Sequence, residues 1–190
     1  MDKLEELLLQ EINNVRCNPF KYYRTLENSL KKIRGSEICI GDVLYRINNI
    51  KHAIELLEDL KNAIGLNKLI PSNELYSTSK YFSDTCFNSD ERDILNYFNN
   101  ITSKNLVDEV IKYCTPHGIV GISYDIGRSN PEEIILRLLL DENSNIRANR
   151  NLLLCKDLKY IGISCSYLND SDIVLVVITY CQDFITNNIK

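Results

Sequence analysis

The chain has no tryptophan, one methionine, four prolines and two histidines among its 190 residues. The histidines, His52 and His117, stand far apart and outside any H-E-x-x-H spacing, so no metalloprotease motif is present. No G-x-S-x-G elbow, Walker loop or G-x-G-x-x-G turn occurs, which removes three common enzyme motifs. Excess charge is small, with 22 Lys and Arg against 26 Asp and Glu and a net charge of -4. A sequence-independent nucleic-acid binder needs a basic face that displaces counterions, and this balance argues against one. The longest uncharged apolar run, Ile173 to Ile178, falls far short of the roughly 20 residues of a membrane-spanning helix. The opening MDKLEELLLQ places Asp2, Glu5 and Glu6 where a secretory signal would have its apolar core.

Cysteine is not scarce. Cys17, Cys39, Cys86, Cys114, Cys155, Cys165 and Cys181 make an odd, scattered set of seven with no C-x-x-C pair. That pattern argues against a disulfide framework and a cysteine zinc site, and for free thiols in a reducing compartment. A cytoplasmic location is therefore expected. Cys165 and Cys181 would weaken that expectation if they faced each other across a hairpin. A composition of 44% hydrophobic and 25% charged residues is ordinary for a globular protein, and the length suits one domain over 1–190.

Helices dominate the first half. Leu4, Leu7, Leu8, Ile12 and Val15 recur at helical spacing, and Pro19 opens a second stripe through Phe20, Tyr23, Leu26 and Leu30. Gly35 to Gly41 reads as a loop. Ile50, Ala53, Ile54, Leu57, Leu60 and Ile64 form a third stripe, stopped by Gly65. Ser72 caps a helix whose inner face carries Leu75, Ser79, Phe82 and Cys86. Asn88 to Lys104 reads as a long surface loop holding a short helix at Ile94 to Phe98. Ile119 to Tyr124 is a short strand. Asn130, Pro131 and Glu133 place a cap, a first-turn proline and a capping-box acid at the start of a helix that buries Ile134, Ile135, Leu138 and Leu139. Lys159 to Tyr167 alternates, and Ile173 to Ile178 is continuously apolar and β-branched, as a strand covered on both faces should be. A turn at Asn169 to Ser171 makes these two an antiparallel hairpin. The order of elements predicts an α+β domain with helices against an antiparallel sheet.

The segment PEEIILRLLLDENSNIRANRNLLLCKDLKYIGISC, from Pro131, resembles the CAP superfamily (the SCP or pathogenesis-related-1 family). Members carry P-x-E-I-V, an acidic pair, R-G-H-R-x-N-I-F and F-K-Y-V-G. Here Asp141 and Glu142 match the acidic pair, Arg147 to Arg150 stand at R-G-H-R, and Lys159 to Gly162 match K-Y-V-G. Three earlier segments agree in order: Ile12 to Pro19 with N-x-x-R-x-x-P, Leu66 to Asp84 with an L-x-x-L helix, and Ile122 to Tyr124 with the I-S-Y after G-E-N. The resemblance implies a three-layer α-β-α sandwich with a small antiparallel sheet.

It also implies a cleft with two histidines and two acids, able to hold a divalent metal. This chain departs from that set. Asn149 replaces the histidine of G-H-R, no histidine occurs at Asn88 to Glu91, and Gly118 to Ile122 reads GIVGI without the glutamate of G-E-N. An amide is a feeble zinc ligand and no general base, so neither metal nor cofactor is expected. The vestigial cleft would be His117, Asp141, Glu142, Asn149 and Arg150. Those residues read either as a polar wall that binds an anion or peptide, or as a helix end where Arg150 holds carbonyls and an acid. The function this implies is non-enzymatic: binding a protein partner, or an apolar small molecule such as a sterol or fatty acid, in a groove. The alternative is a hydrolase-like enzyme rebuilt around His117 and Asp141 or Glu142. It requires the imidazole and a carboxylate to converge within about 3 Å. Cys114 precedes His117 by three residues, but sequence proximity is not catalytic geometry. Tyr22, Tyr23, Tyr76, Tyr81 and Tyr97 either line a groove or sit at the core's edge.

Overall fold

Asp2 and Glu5, which break up the apolar start of the sequence, form a reciprocal capping box that begins helix α1, Lys3–Cys17. Here and below the coordinates are those of a computed structural model, which describes residues 2–33, 35–40, 43–87, 89–142, 144–168 and 172–187. Leu4, Leu8, Ile12 and Val15 form the buried stripe of α1. Asn18 caps α2, Pro19–Leu30, with Pro19 at its first position. A hairpin follows, β1 Glu37–Ile40 against β2 Val43–Arg46, with Glu37 opposite Arg46. The expected loop at Gly35 to Gly41 is corrected over its described part: Ile38 drops into the core and its strand pairs with β2. Gly41 itself lies outside the described residues.

Helix α3, Ile50–Asn62, buries Ala53, Leu56 and Leu60. The stripe read from sequence was rotated, since Ile50, Ile54 and Ile64 face solvent. The helix also stops at Asn62, ahead of Gly65. The two-residue strand β3, Ile70–Pro71, leads into α4, Asn73–Thr85, capped by Ser72. Its expected inner face is present, with Leu75, Ser79, Phe82 and Cys86 buried.

The region read as a long surface loop with a short helix at Ile94 to Phe98 is two helices, α5 Glu91–Asn99, which contains that helix, and α6 Ser103–Val110, each with its own side-chain cap, Asp90 and Thr102. They bury Ile94, Phe98, Leu106 and Val110; Asn88 lies outside the described residues. Strand β4 then runs Cys114–Arg128, far longer than the expected Ile119 to Tyr124. A bulge between His117 and Val120 shifts its register, with Gly118 at a φ of 79°. Helix α7, Pro131–Leu140, starts at Asn130 as expected and buries six of its ten residues. Glu133, however, pairs with Arg137. The short α8, Ala148–Leu153, precedes β5 Tyr160–Tyr167 and β6 Ile173–Thr186. The expected turn at Asn169 to Ser171 lies outside the described residues, but β5 and β6 are antiparallel as anticipated. Cys165 faces Val176, while Cys181 faces Tyr160, so the two cysteines do not oppose each other. All seven thiols are free.

The main sheet has the order β3-β5-β6-β4, antiparallel except for the brief parallel pairing of β3 with β5. On one face, α1, α2, α3, α7 and the β1–β2 hairpin pack around Ile161, Ile163, Val174, Val176, Ile178 and Tyr180. On the other, α4, α5 and α6 cover Leu175, Val177 and Cys181. Val174 to Ile178 are buried without exception because both faces of β6 are covered. The chain is thus an α+β fold in three layers, helices on either side of one sheet.

Candidate functional site

The charged segment after α7 is built around the end of that helix. The last carbonyls of a helix have no partner within it and attract cations. Arg150 meets this need from 2% exposure: its Nε donates to the Leu139 carbonyl at 2.6 Å and its Nη2 to the Leu140 carbonyl at 3.2 Å. The same guanidinium reaches the His52 carbonyl and forms an ion pair with Asp59 at 2.8 Å. Asp141 ends α7 in the left-handed region, at φ 47°, a conformation that Asp tolerates better than most side chains. Both of its carboxylate oxygens are taken by Asn149, one by the backbone N–H at 2.8 Å and one by the side-chain amide at 3.0 Å. Burial raises the Asp141 pKa, opposed by those Asn149 bonds and by Arg150. Glu142 leaves the cluster for the start of α3, where it accepts from the N–H groups of Asn48 and Asn49 and from the Asn48 amide. Arg147 bonds Glu55 and the carbonyls of Asp141 and Ser144.

Sequence reasoning thus brought together Asp141, Asn149 and Arg150, and the structure does the same. His117 stands elsewhere. It is exposed on β4 in register with Asp183. Tyr124, further along that strand, has its pKa raised first by burial and then by the Asp141 charge. Within the GIVGI stretch, Gly121 lies under α8 so closely that a Cβ there would meet Leu152 Cδ2 at 2.3 Å. His52 sits half-buried on α3, its ring Nδ1 without a partner. Cys114 is fully buried and its thiol is pushed up to about 11, chiefly by burial, so it is not a ready nucleophile beside His117. Among the described residues no group of three or more His, Cys, Asp or Glu gathers to hold a metal ion.

A second buried arginine does similar work one element later. Arg16, from the N-x-x-R-x-x-P segment, is 0% exposed and donates to the carbonyls of Asn67, Leu153, Cys155 and Leu158. Its neighbour Asn13 exchanges two hydrogen bonds with the backbone of Leu69. These segment residues hold the chain together.

One feature missed in the sequence lies in the region read as a loop with a short helix. Helices α4, α5 and α6 flank an open cleft of about 630 Å³. Tyr81 and Tyr97 line it, as one of the two readings of the tyrosines allowed, together with Asp93, Asp108, Glu109 and Lys112. Glu109 is 4% exposed; its Oε2 accepts from Lys112, and the Tyr113 side chain also hydrogen-bonds its carboxylate. Nearby Tyr113 has its pKa raised by burial first and by the Glu109 carboxylate second. The Lys112 ammonium also lies over the Tyr81 ring, 4.8 Å from its centre. The signals that could have found the second helix are the capping residues Asp90 and Thr102.

No protein-family profile and no curated protein matches this chain. Among solved structures, an outer surface protein of Borrelia burgdorferi is similar over 73% of this chain and 91% of its own, at 17% identity and a TM-score of 0.45. A cysteine-rich secretory protein of Staphylococcus aureus is similar over 74% of this chain, at 14% identity and a TM-score of 0.37. The match spans 42% of that protein's length. Likeness at this level concerns the path of the backbone alone.

Proposed function

We propose that the chain is a non-catalytic, CAP-like binding domain whose ligand is a protein partner. One observation carries this reading: the residues standing where the resemblance implies acid–base or metal chemistry are spent on architecture. Both oxygens of Asp141 and both of Glu142 are occupied, and Arg150 is buried on the end of α7. A general base has to be turned toward its substrate within hydrogen-bond reach, and these carboxylates are turned instead to backbone and amide donors of the chain itself. A protein partner is preferred to a sterol or fatty acid because the cleft of mainly apolar lining, between Leu9, Tyr76, Ile161 and Ile163, holds only about 120 Å³. Ligand pockets for drug-sized molecules start near ~300 Å³. The cytoplasmic location stays part of this proposal, supported by seven free thiols.

Calorimetric titration of reduced protein with zinc and cadmium tests the reading, with His117→Ala and thiol-blocked protein as controls. The expected result is no stoichiometric binding beyond that of the thiols. A single site abolished by His117→Ala, accompanied by metal-dependent hydrolysis of a model ester or peptide, overturns it.

A further inference from the structure

We infer that the outer edge of β4 is the surface on which a second copy of this chain docks, strand to strand. The inference rests on the reading of this chain as a protein-binding domain and names the partner. Its basis is the hydrogen bonding of the main sheet. Lys159 and Ile161 give their carbonyls to Ile70 and Ser72 on the β3 side, so by alternation Tyr160, Gly162 and Ser164 bond β6. The register then turns Tyr180, Ile178, Val176 and Val174 toward Gly121, Ser123, Asp125 and Gly127 of β4. The N–H and C=O groups of Val120, Ile122, Tyr124 and Ile126 therefore point away from the sheet. No hydrogen bond from any described residue reaches them. Such a row of unpaired groups is a template for another strand, and folded chains usually blunt it with a charge, a proline, a bulge or a short strand. This sheet is blunted elsewhere. At the opposite edge β3 is two residues long, and Glu5 takes the Cys165 N–H beyond it at 3.2 Å. On β4 itself the bulge at His117 to Val120 interrupts the start of the strand. From Val120 to Gly127 there is no proline and no lysine, and the one charge, Asp125, is held by Arg137 of α7 at 2.9 and 2.7 Å.

The open stretch is also complementary to itself. With a two-fold axis at Tyr124, an antiparallel pair sets Ile122 against Ile126 and Val120 against Arg128 on one face of the sheet. On the other face it sets Gly121 against Gly127 and Ser123 against Asp125. Half-buried apolar side chains meet their like, and no like charges are directly opposed. The acid nearest the axis is already neutralised by Arg137. Two four-stranded sheets would join into one continuous sheet, within the usual range of open sheets.

The experiment is sedimentation equilibrium of the full chain in reductant, which keeps the free thiols from cross-linking, with amide hydrogen exchange read by NMR on the same samples. A reversible dimer, twice the 22.0 kDa of the monomer, is the expected result. With rising concentration the N–H groups of Val120, Ile122, Tyr124 and Ile126 should become protected, while those of Gly121, Ser123, Asp125 and Gly127 are protected throughout by the ladder to β6. Ile122→Lys and Ile126→Glu should each raise the dissociation constant by about tenfold or more, since each seats an unpaired charge against an isoleucine. Mixed in equal amounts, the two variants should recover the dimer, because their new charges then face each other. Should either variant fail to fold by circular dichroism, the exchange pattern of the parent decides. A parent still monomeric at about 1 mM overturns the inference and leaves the edge to a foreign strand. So does a dimer whose outward N–H groups exchange as fast as in the monomer, or one that both charged variants leave intact. These outcomes leave the proposal of a non-catalytic domain standing, because the latter depends on the metal titration.

Discussion

Two arginines show how a residue's partners decide its role. Arg150 and Arg16 are the largest fully buried side chains, yet neither faces a cleft. Each spends its donors on backbone carbonyls at the ends of α7 and α8, where the peptide groups leave unpaired oxygens and a partial negative charge. Removing the guanidinium orphans several buried acceptors at once, each worth about 1–3 kcal/mol. Arg150→Ala should therefore cost at least about 3 kcal/mol in urea unfolding, with the midpoint shifted and the slope unchanged. Arg150→Lys should recover less than half of that, since a point charge cannot serve the Leu139 and Leu140 carbonyls and Asp59 together. A lysine variant as stable as the parent would show that charge alone matters there. Sequence reasoning named Arg150 correctly because its two readings, cleft wall and helix end, needed the same residue. Coordinates alone could choose between them.

Among elements, α4 and its seat on the sheet depend on small residues. Ser79 accepts from the Thr179 N–H and donates within a cluster of the Gly162 carbonyl and the Thr179 hydroxyl, while Ser83 meets Ser164 at 2.9 Å. The helix comes so near that a Cβ on Gly162 would lie 2.1 Å from the Leu75 carbonyl carbon. Backbone cannot yield as a flexible side chain can. Gly162→Ala should lift α4 off β5 and cost about 3 kcal/mol or more, or leave no soluble protein. Thermal melting and near-ultraviolet dichroism of the tyrosines check this; a variant melting with the parent would show that the helix slides freely. The K-Y-V-G likeness put a glycine here, but nothing in the sequence placed a helix against it. The β1–β2 hairpin and the bulge at His117 to Val120 were invisible for a related reason. Four-residue strands carry too little periodicity to announce themselves, and a bulge breaks the alternation that does.

At the scale of the molecule, two apolar cores share one sheet. The first contains α1, α3 and α7, the second α4, α5 and α6, and β6 contributes alternate residues to both. Loss of either core exposes one face of the same strands, so neither half should persist alone. One cooperative transition is expected, with far-ultraviolet and tyrosine signals superimposed and the calorimetric enthalpy equal to the van't Hoff value. Two separated transitions would show that the helices over the second face form an independent unit, contrary to one domain over 1–190.

The sequence by itself determined the starts of α2, α4 and α7 and the class of the fold. Caps such as Asn130 with Pro131, and the unbroken β-branched run of β6, act through local geometry that any reader of the chain can follow. Tertiary structure alone decided which polar groups are already satisfied. Whether Asp141 is a reactive acid or a bracket depends on Asn149 and on the buried end of a helix. Whether Glu109 is an exposed helix residue or a buried carboxylate held by Lys112 depends on the helices packed around it. Hydrogen-bond satisfaction is a property of neighbours in space, and spacing along the chain does not encode it.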